Sequence, residues 1–168
     1  MREADKSTIF INIIEAHKGI IYKIATSYCK DVEDRNDLVQ EIILKLWKVF
    51  ENYNDEFKHS TWIYRIALNT AISNYRKEKV REKHIVSHAA PIFEVSDTSN
   101  TGEKEQNYLL LLHFVSELKE LDKALILLYF EEKSYKEISE ILGISETNVG
   151  TRMGRIKIFL KEKFTTVK

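Results

Sequence analysis

The sequence predicts an all-α protein made of two small helical domains joined by a flexible linker. Apolar residues recur three and four apart through most of the 168-residue chain. A polar stretch with the only proline, Pro91, interrupts that pattern over residues 85–106. Residues 134–160, SYKEISEILGISETNVGTRMGRIKIFL, read as two short helices about a tight turn. The expected division is residues 1–84, a linker 85–106, and residues 107–168.

Composition bounds the chemistry. Apolar residues make up 43%, enough for a core, and charged residues 31%, too many for a membrane protein. There is no run of 18 apolar residues and the N-terminus MREADKST lacks an apolar stretch. Neither membrane insertion nor a signal peptide is therefore expected, and a cytoplasmic location is. The single cysteine, Cys29, fits a reducing compartment, and its apolar neighbours suit a buried, inert thiol. The net charge is zero, but the cations are clustered. Residues 58–84 hold Lys58, Arg65, Arg76, Lys77, Lys79, Arg81 and Lys83 against Glu78 and Glu82. Residues 147–168 hold Arg152, Arg155, Lys157, Lys161, Lys163 and Lys168 against Glu162. Two basic patches distant in sequence point to two nucleic-acid contacts. A neutral total predicts weak non-specific binding and help from a partner.

Residues 8–30 form the first expected helix, with Ile9, Ile13, Ile20, Ile24 and Tyr28 on its apolar face and Gly19 as a kink point. Residues 31–34 read as a turn. Residues 36–52 are strongly amphipathic: Leu38, Ile42, Leu46 and Phe50 form one row, and Val39, Ile43 and Trp47 the next. The opposite face holds Asp37, Gln40, Glu41, Leu44 and Lys48. Leu44 there fits a scattered surface leucine or a docking strip for a basic partner helix equally well.

Residues 53–59 are a loop with two aromatics, and Ser60 is expected to cap a helix over 61–81. Its core rows are Ile63, Ile66, Ala67, Ala71 and Tyr75. Thr61, Arg65, Asn69, Ser73 and then Arg76 or Lys77 form a polar stripe, which suits either plain solvation or an unstacked single strand. Trp62 reads as core more readily than as a stacking platform. His84 and His88 are four apart, but nothing completes a metal set around them. Acids outnumber bases in the linker, through Glu94, Asp97, Glu103 and Glu105 against Lys104. Residues 107–120 and 122–132 are two further helices.

The C-terminal motif opens with a capping box, Ser134 and Glu137. Ile138, Ile141 and Leu142 keep helical spacing, and Gly143 ends the helix because a turn through φ > 0 is cheapest there. Ser145 caps the next helix, which buries Val149, Met153, Ile156 and Leu160. Its opposite face carries Thr147, Thr151 and Arg155, flanked by Asn148, Arg152 and Lys157. Short polar groups and guanidinium forks suit groove edges and phosphates. An ordinary αα-hairpin with a solvated face is the alternative.

DLVQEIILKLWKVF followed by STWIYRIALNTAISNYRK, and then LKELDKALILLYFEEKSYKEISEILGISETNVGTRMGRIKIFLK, resemble the extracytoplasmic-function (group IV) branch of the bacterial sigma-70 family. The resemblance implies a sigma-2 domain, a linker and a sigma-4 domain. It implies a non-enzymatic promoter-specificity subunit, without cofactor, that binds core RNA polymerase and promoter DNA and is held by an anti-sigma factor. Asp37, Gln40, Glu41, Leu44 and Lys48 would dock on the β′ clamp helices. Val49, Tyr53, the loop 54–60, Thr61, Ile66 and Asn69 would receive a flipped base of the −10 element, and Arg65, Arg76 and Lys77 would hold phosphates. Thr147, Asn148, Thr151, Arg152, Arg155 and Lys157 would meet the −35 duplex, and the same domain the β flap. Gly150 and Gly154 depart from the family pattern and are expected to face the groove, letting the backbone approach closely. A free-standing regulator is the alternative class. No Gly-rich phosphate loop or nucleophile–base pair suggests an enzyme.

Overall fold

The computed structural model describes residues 3–84 and 102–167. They form seven α-helices: α1 (Glu3–Tyr28), α2 (Val32–Phe50), α3 (His59–His84), α4 (Glu103–Ser116), α5 (Glu120–Phe130), α6 (Tyr135–Leu142) and α7 (Glu146–Val167). No strand occurs among the described residues. The chain divides into two compact units, Met1–Val86 and Ser87–Lys168. His88, Pro91, Glu94 and Asp97, expected in the linker, lie outside the described residues, as does the His84 side chain.

In the first unit α1, α2 and α3 pack on one another. Ile21, Ile24 and Ala25 of α1 meet Leu38, Ile42 and Leu46 of α2 and Ile63, Ala67, Leu68 and Ala71 of α3, all buried. Each fully buried leucine or isoleucine contributes about 2 kcal/mol. Phe10 closes one end, its ring 5.0 Å from Trp47 and 5.3 Å from Phe50. Trp62 is core, as expected. The α1 face differs from its expectation: Ile9 is exposed and Ile20 only half-buried, while Phe10, Ile14 and Ile21 point inward. The seam is therefore rotated from the row chosen by spacing alone. In α3, Ile66 is half-buried, and the buried Thr70 hydroxyl donates to the Ile66 carbonyl at 2.7 Å.

Several boundaries shift. Asp31, read as a turn residue, is the N-cap of α2, its carboxylate accepting from Glu33 N–H at 2.7 Å. The first turn of α3 starts one residue before the expected cap: Trp62 N–H donates to the Lys58 carbonyl at 3.1 Å, so Ser60 lies inside the helix. α4 begins at Glu103, within the stretch expected as linker.

In the second unit α7 packs on α4, α5 and α6. Leu125 and Leu128, Ile138 and Ile141, and Val149, Met153 and Ile156 make its core. Phe114 and Phe164 add an edge contact at 5.1 Å. The capping box at Ser134 and Glu137 is complete in both directions, and Gly143 ends α6 at φ 67°. Ser145 Oγ accepts from Asn148 N–H at 3.1 Å, capping α7.

Candidate nucleic-acid interface

On α3 the stripe chosen from spacing is exposed at Arg65, Asn69, Ser73, Arg76 and Lys77, with Thr61 half-buried at its start. The helical repeat aligns these positions, and the buried rows Ile63–Ala67 and Leu68–Ile72 fix which way they face. The C-terminal half of the stripe borders a shallow depression lined by Asn69, Ser73, Arg76, Lys77 and Arg81 with the apolar Ile72 and Val80. Cations beside apolar side chains suit a phosphate backbone with bases laid against it.

The loop before α3 is shaped by its own contacts. The Tyr53 ring lies 4.8 Å from Trp62 and 5.3 Å from His59, and its hydroxyl donates to the Phe57 carbonyl. Burial, with the Asp55 carboxylate beside it, pushes the Tyr53 phenol pKa up. Asp55 takes φ 57°, and the Asn54 side chain accepts from Glu56 N–H at 3.3 Å. Arg65 reaches over Phe57, its guanidinium carbon 5.8 Å from the ring centroid. Loop and stripe thus meet at Phe57 and Arg65. Phe57 was missed from sequence as a named contact, although the loop aromatics were its signal. Val49 is 41% exposed near the end of α2.

On α2, Asp37, Gln40, Leu44 and Lys48 are exposed and Glu41 half-buried. Leu44, at 59% exposure, projects an apolar side chain from this polar strip. Glu41 is not bare: its carboxylate pairs with Lys45 one turn on, at 2.9 Å.

In the second unit Thr147, Asn148, Thr151, Gly154, Arg155 and Lys157 are exposed on α7. Thr147, Thr151, Gly154 and Ile158 line one ridge, and Ile158 at 59% exposure lengthens it. The Thr151 hydroxyl donates to the Thr147 carbonyl at 3.0 Å. Lys157 sits over the Tyr129 ring at 4.9 Å. Two expected contacts are placed otherwise. Gly150 is half-buried, and a Cβ there would lie 3.8 Å from the Tyr135 ring, so it faces α6 and not open space. Arg152 is half-buried and donates to Asp122 of α5 at 2.7 Å. Of the two glycines in α7 only Gly154 is open, with nothing within 4 Å of a built Cβ.

Among the described residues no cluster of three metal-binding side chains occurs, and no helix is long and apolar enough to cross a membrane.

Two family descriptions match the chain: Sigma-70 region 2 over residues 13–81, and Sigma-70, region 4 over residues 108–160. The RNA polymerase sigma factor SigV of Bacillus subtilis (strain 168) is 30% identical over 158 residues, covering 94% of this chain and 92% of that protein. The chain belongs to the extracytoplasmic-function branch of the sigma-70 family. This sigma factor is also similar to the ECF RNA polymerase sigma factor SigW of the same organism, 26% identical over 165 residues, with 92% and 88% covered. Its fold matches the sigma factor RpoE of Bartonella quintana, solved in complex with the anti-sigma factor NepR, at TM-score 0.70 and 17% identity over 98% and 99% of the two chains. Family membership makes the chain a transcription initiation factor that binds core RNA polymerase and recognises promoters. The region 2 match contains the α2 strip and the α3 stripe, and the region 4 match contains the α6–α7 helix-turn-helix.

Proposed function

We propose that the two exposed cationic faces divide one promoter between them. The unit of α1–α3 docks on the β′ clamp helices through Asp37, Gln40, Glu41, Leu44 and Lys48. It takes the non-template strand of the −10 element along Arg65, Asn69, Arg76 and Lys77, with Tyr53, Thr61, Ile66 and Val49 around a flipped base. Extruding that base costs a few kcal/mol of stacking and pairing, which loop contacts offset. The unit of α4–α7 reads the −35 element as duplex through α7 and meets the β flap. The first domain runs to residue 84 and the second opens with α4 at Glu103, with the residues between as tether.

The observation that carries this reading is the exposed row Arg65, Asn69, Ser73, Arg76, Lys77 on α3, cationic at both ends. A sensor domain would have no use for such a row. The protein acts in the cytoplasm as a non-catalytic subunit, and the polymerase does the chemistry. An anti-sigma factor, the kind of partner with which the Bartonella protein was solved, covers its polymerase-binding surfaces.

Run-off transcription with core polymerase and a randomised promoter library tests the proposal. The expected result is enrichment of two separated elements, with specific DNA retained only when core is present. Retention of one element by the free protein, unaffected by core, would instead identify a free-standing regulator. Arg65→Ala should weaken enrichment at the downstream element and leave the upstream one intact.

A further inference from the structure

Three side chains on the second unit are joined in series. The Asp122 carboxylate, in the first turn of α5, accepts from Arg152 Nη1 at 2.7 Å. Arg152 Nε donates to Asn148 Oδ1 at 3.2 Å, one turn earlier on α7. The paired side chains retain only 32% and 23% exposure, so solvent screens them incompletely. Asn148 is exposed, and Ser145 Oγ holds its backbone N–H at 3.1 Å.

A carboxamide presents an acceptor at one end and two donor hydrogens at the other. The guanidinium occupies the Oδ1 end of Asn148, so Nδ2 remains to face a ligand. Turning the amide over would set its NH2 against a cation with no acceptor between them, which electrostatics oppose. Reading adenine through an asparagine needs both ends at once, Nδ2 to N7 and N6 to Oδ1. We infer that Asp122 and Arg152 are positioning residues that turn Asn148 so that it meets the DNA as a donor, through Nδ2. Its partner is an acceptor atom of the −35 duplex: a purine N7, guanine O6, thymine O4, or a phosphate oxygen. The bidentate contact to adenine is disfavoured: Oδ1 keeps a second lone pair, but an N6–H2 reaching it would lie beside the guanidinium. In this role Arg152 acts through Asn148. This inference rests on the proposed assignment of α7 to the −35 element.

The test is a −35 library selected with core polymerase by the full-length wild type, Asp122→Ala, Asn148→Ala and Arg152→Lys. Arg152→Lys keeps a cation beside Asp122 but lacks the Nε–H that holds Asn148, so it releases the amide even if Asp122→Ala does not fold. For a base contact, Asn148→Ala should flatten preference at one position. At that position the wild type should show no preference for adenine over guanine, and Asp122→Ala and Arg152→Lys should let adenine rise against guanine by up to about tenfold. For a phosphate contact, Asn148→Ala should weaken binding to all sequences alike, with both releasing variants weakened in parallel. Either pattern supports the relay and tells the two acceptors apart. If the releasing variants match wild type in profile and affinity, or change positions that Asn148→Ala leaves alone, the inference is wrong while the assignment stands. If wild type selects no −35 sequence at all, both are overturned.

Discussion

Cys29 is buried at the end of α1, and its thiol pKa is pushed up to about 11, first by burial and then by the Glu78 and Asp34 carboxylates. At neutral pH it is therefore a thiol, not a thiolate. Iodoacetamide should label it far more slowly in the native protein than in denaturant; equal rates would contradict its burial. Glu78 shares this neighbourhood. Burial, then Asp34 and Glu82, raise its pKa above the usual 4.5. A raised carboxyl pKa means the folded state holds the proton more firmly, so the group's contribution is present below the unfolded value and is lost as pH rises through the folded one. Glu78→Gln should accordingly raise the thermal midpoint at pH 7, and the gain should vanish near pH 4 (roughly the carboxylate range). A gain that persists in acid would trace to packing and not to charge.

The elements show which features local sequence encodes. The capping box at Ser134 and Glu137, the left-handed Gly143 and the Ser145 cap were all legible, because each is settled within a few residues. The glycines of this motif now separate by role. Gly143→Ala forces a side chain to φ 67° and should cost about 1 kcal/mol or more. Gly154→Ala has open space on every side and should stabilise α7 by about 1 kcal/mol. Denaturant titration of both variants checks the opposite signs. A library selection with Gly154→Ala then asks whether this glycine serves DNA approach: a more stable but weaker binder is the expected outcome. What sequence left illegible is what distance decides. The tilt of the α1 seam depends on two other helices, which is why Ile9 proved exposed. The Arg152–Asp122 pair spans 30 residues, and Gly150 faces Tyr135 across the turn, so neither follows from the periodicity of α7.

For the whole molecule, two separately cored units within a chain of zero net charge give each cationic face little general attraction for DNA. Promoter affinity should then come from joint engagement through the polymerase, where tethering supplies effective concentration. Leu44→Asp tests the docking side. At 59% exposure the change should move stability by no more than about 0.5 kcal/mol, yet core binding should fall tenfold or more (an order-of-magnitude expectation). Unchanged core affinity by fluorescence titration would remove α2 from the docking scheme. Most of the candidate site was legible in outline because both stripes lie on single helices, where spacing alone sets the face. The loop at Tyr53 was legible only as a loop, since its shape comes from Trp62, Phe57 and His59 closing on it.

On the proposed docking of α2, the ion pair between Glu41 and Lys45 is a rival to the polymerase. An incoming cation must first evict a tethered lysine that never diffuses away. Such a pair is worth roughly 0.3–0.5 kcal/mol on a helix surface, so Lys45→Ala should tighten core binding by about twofold. On the proposed docking of α2, the chain carries a mild handicap in any contest for polymerase with other factors, set by the side chain of Lys45.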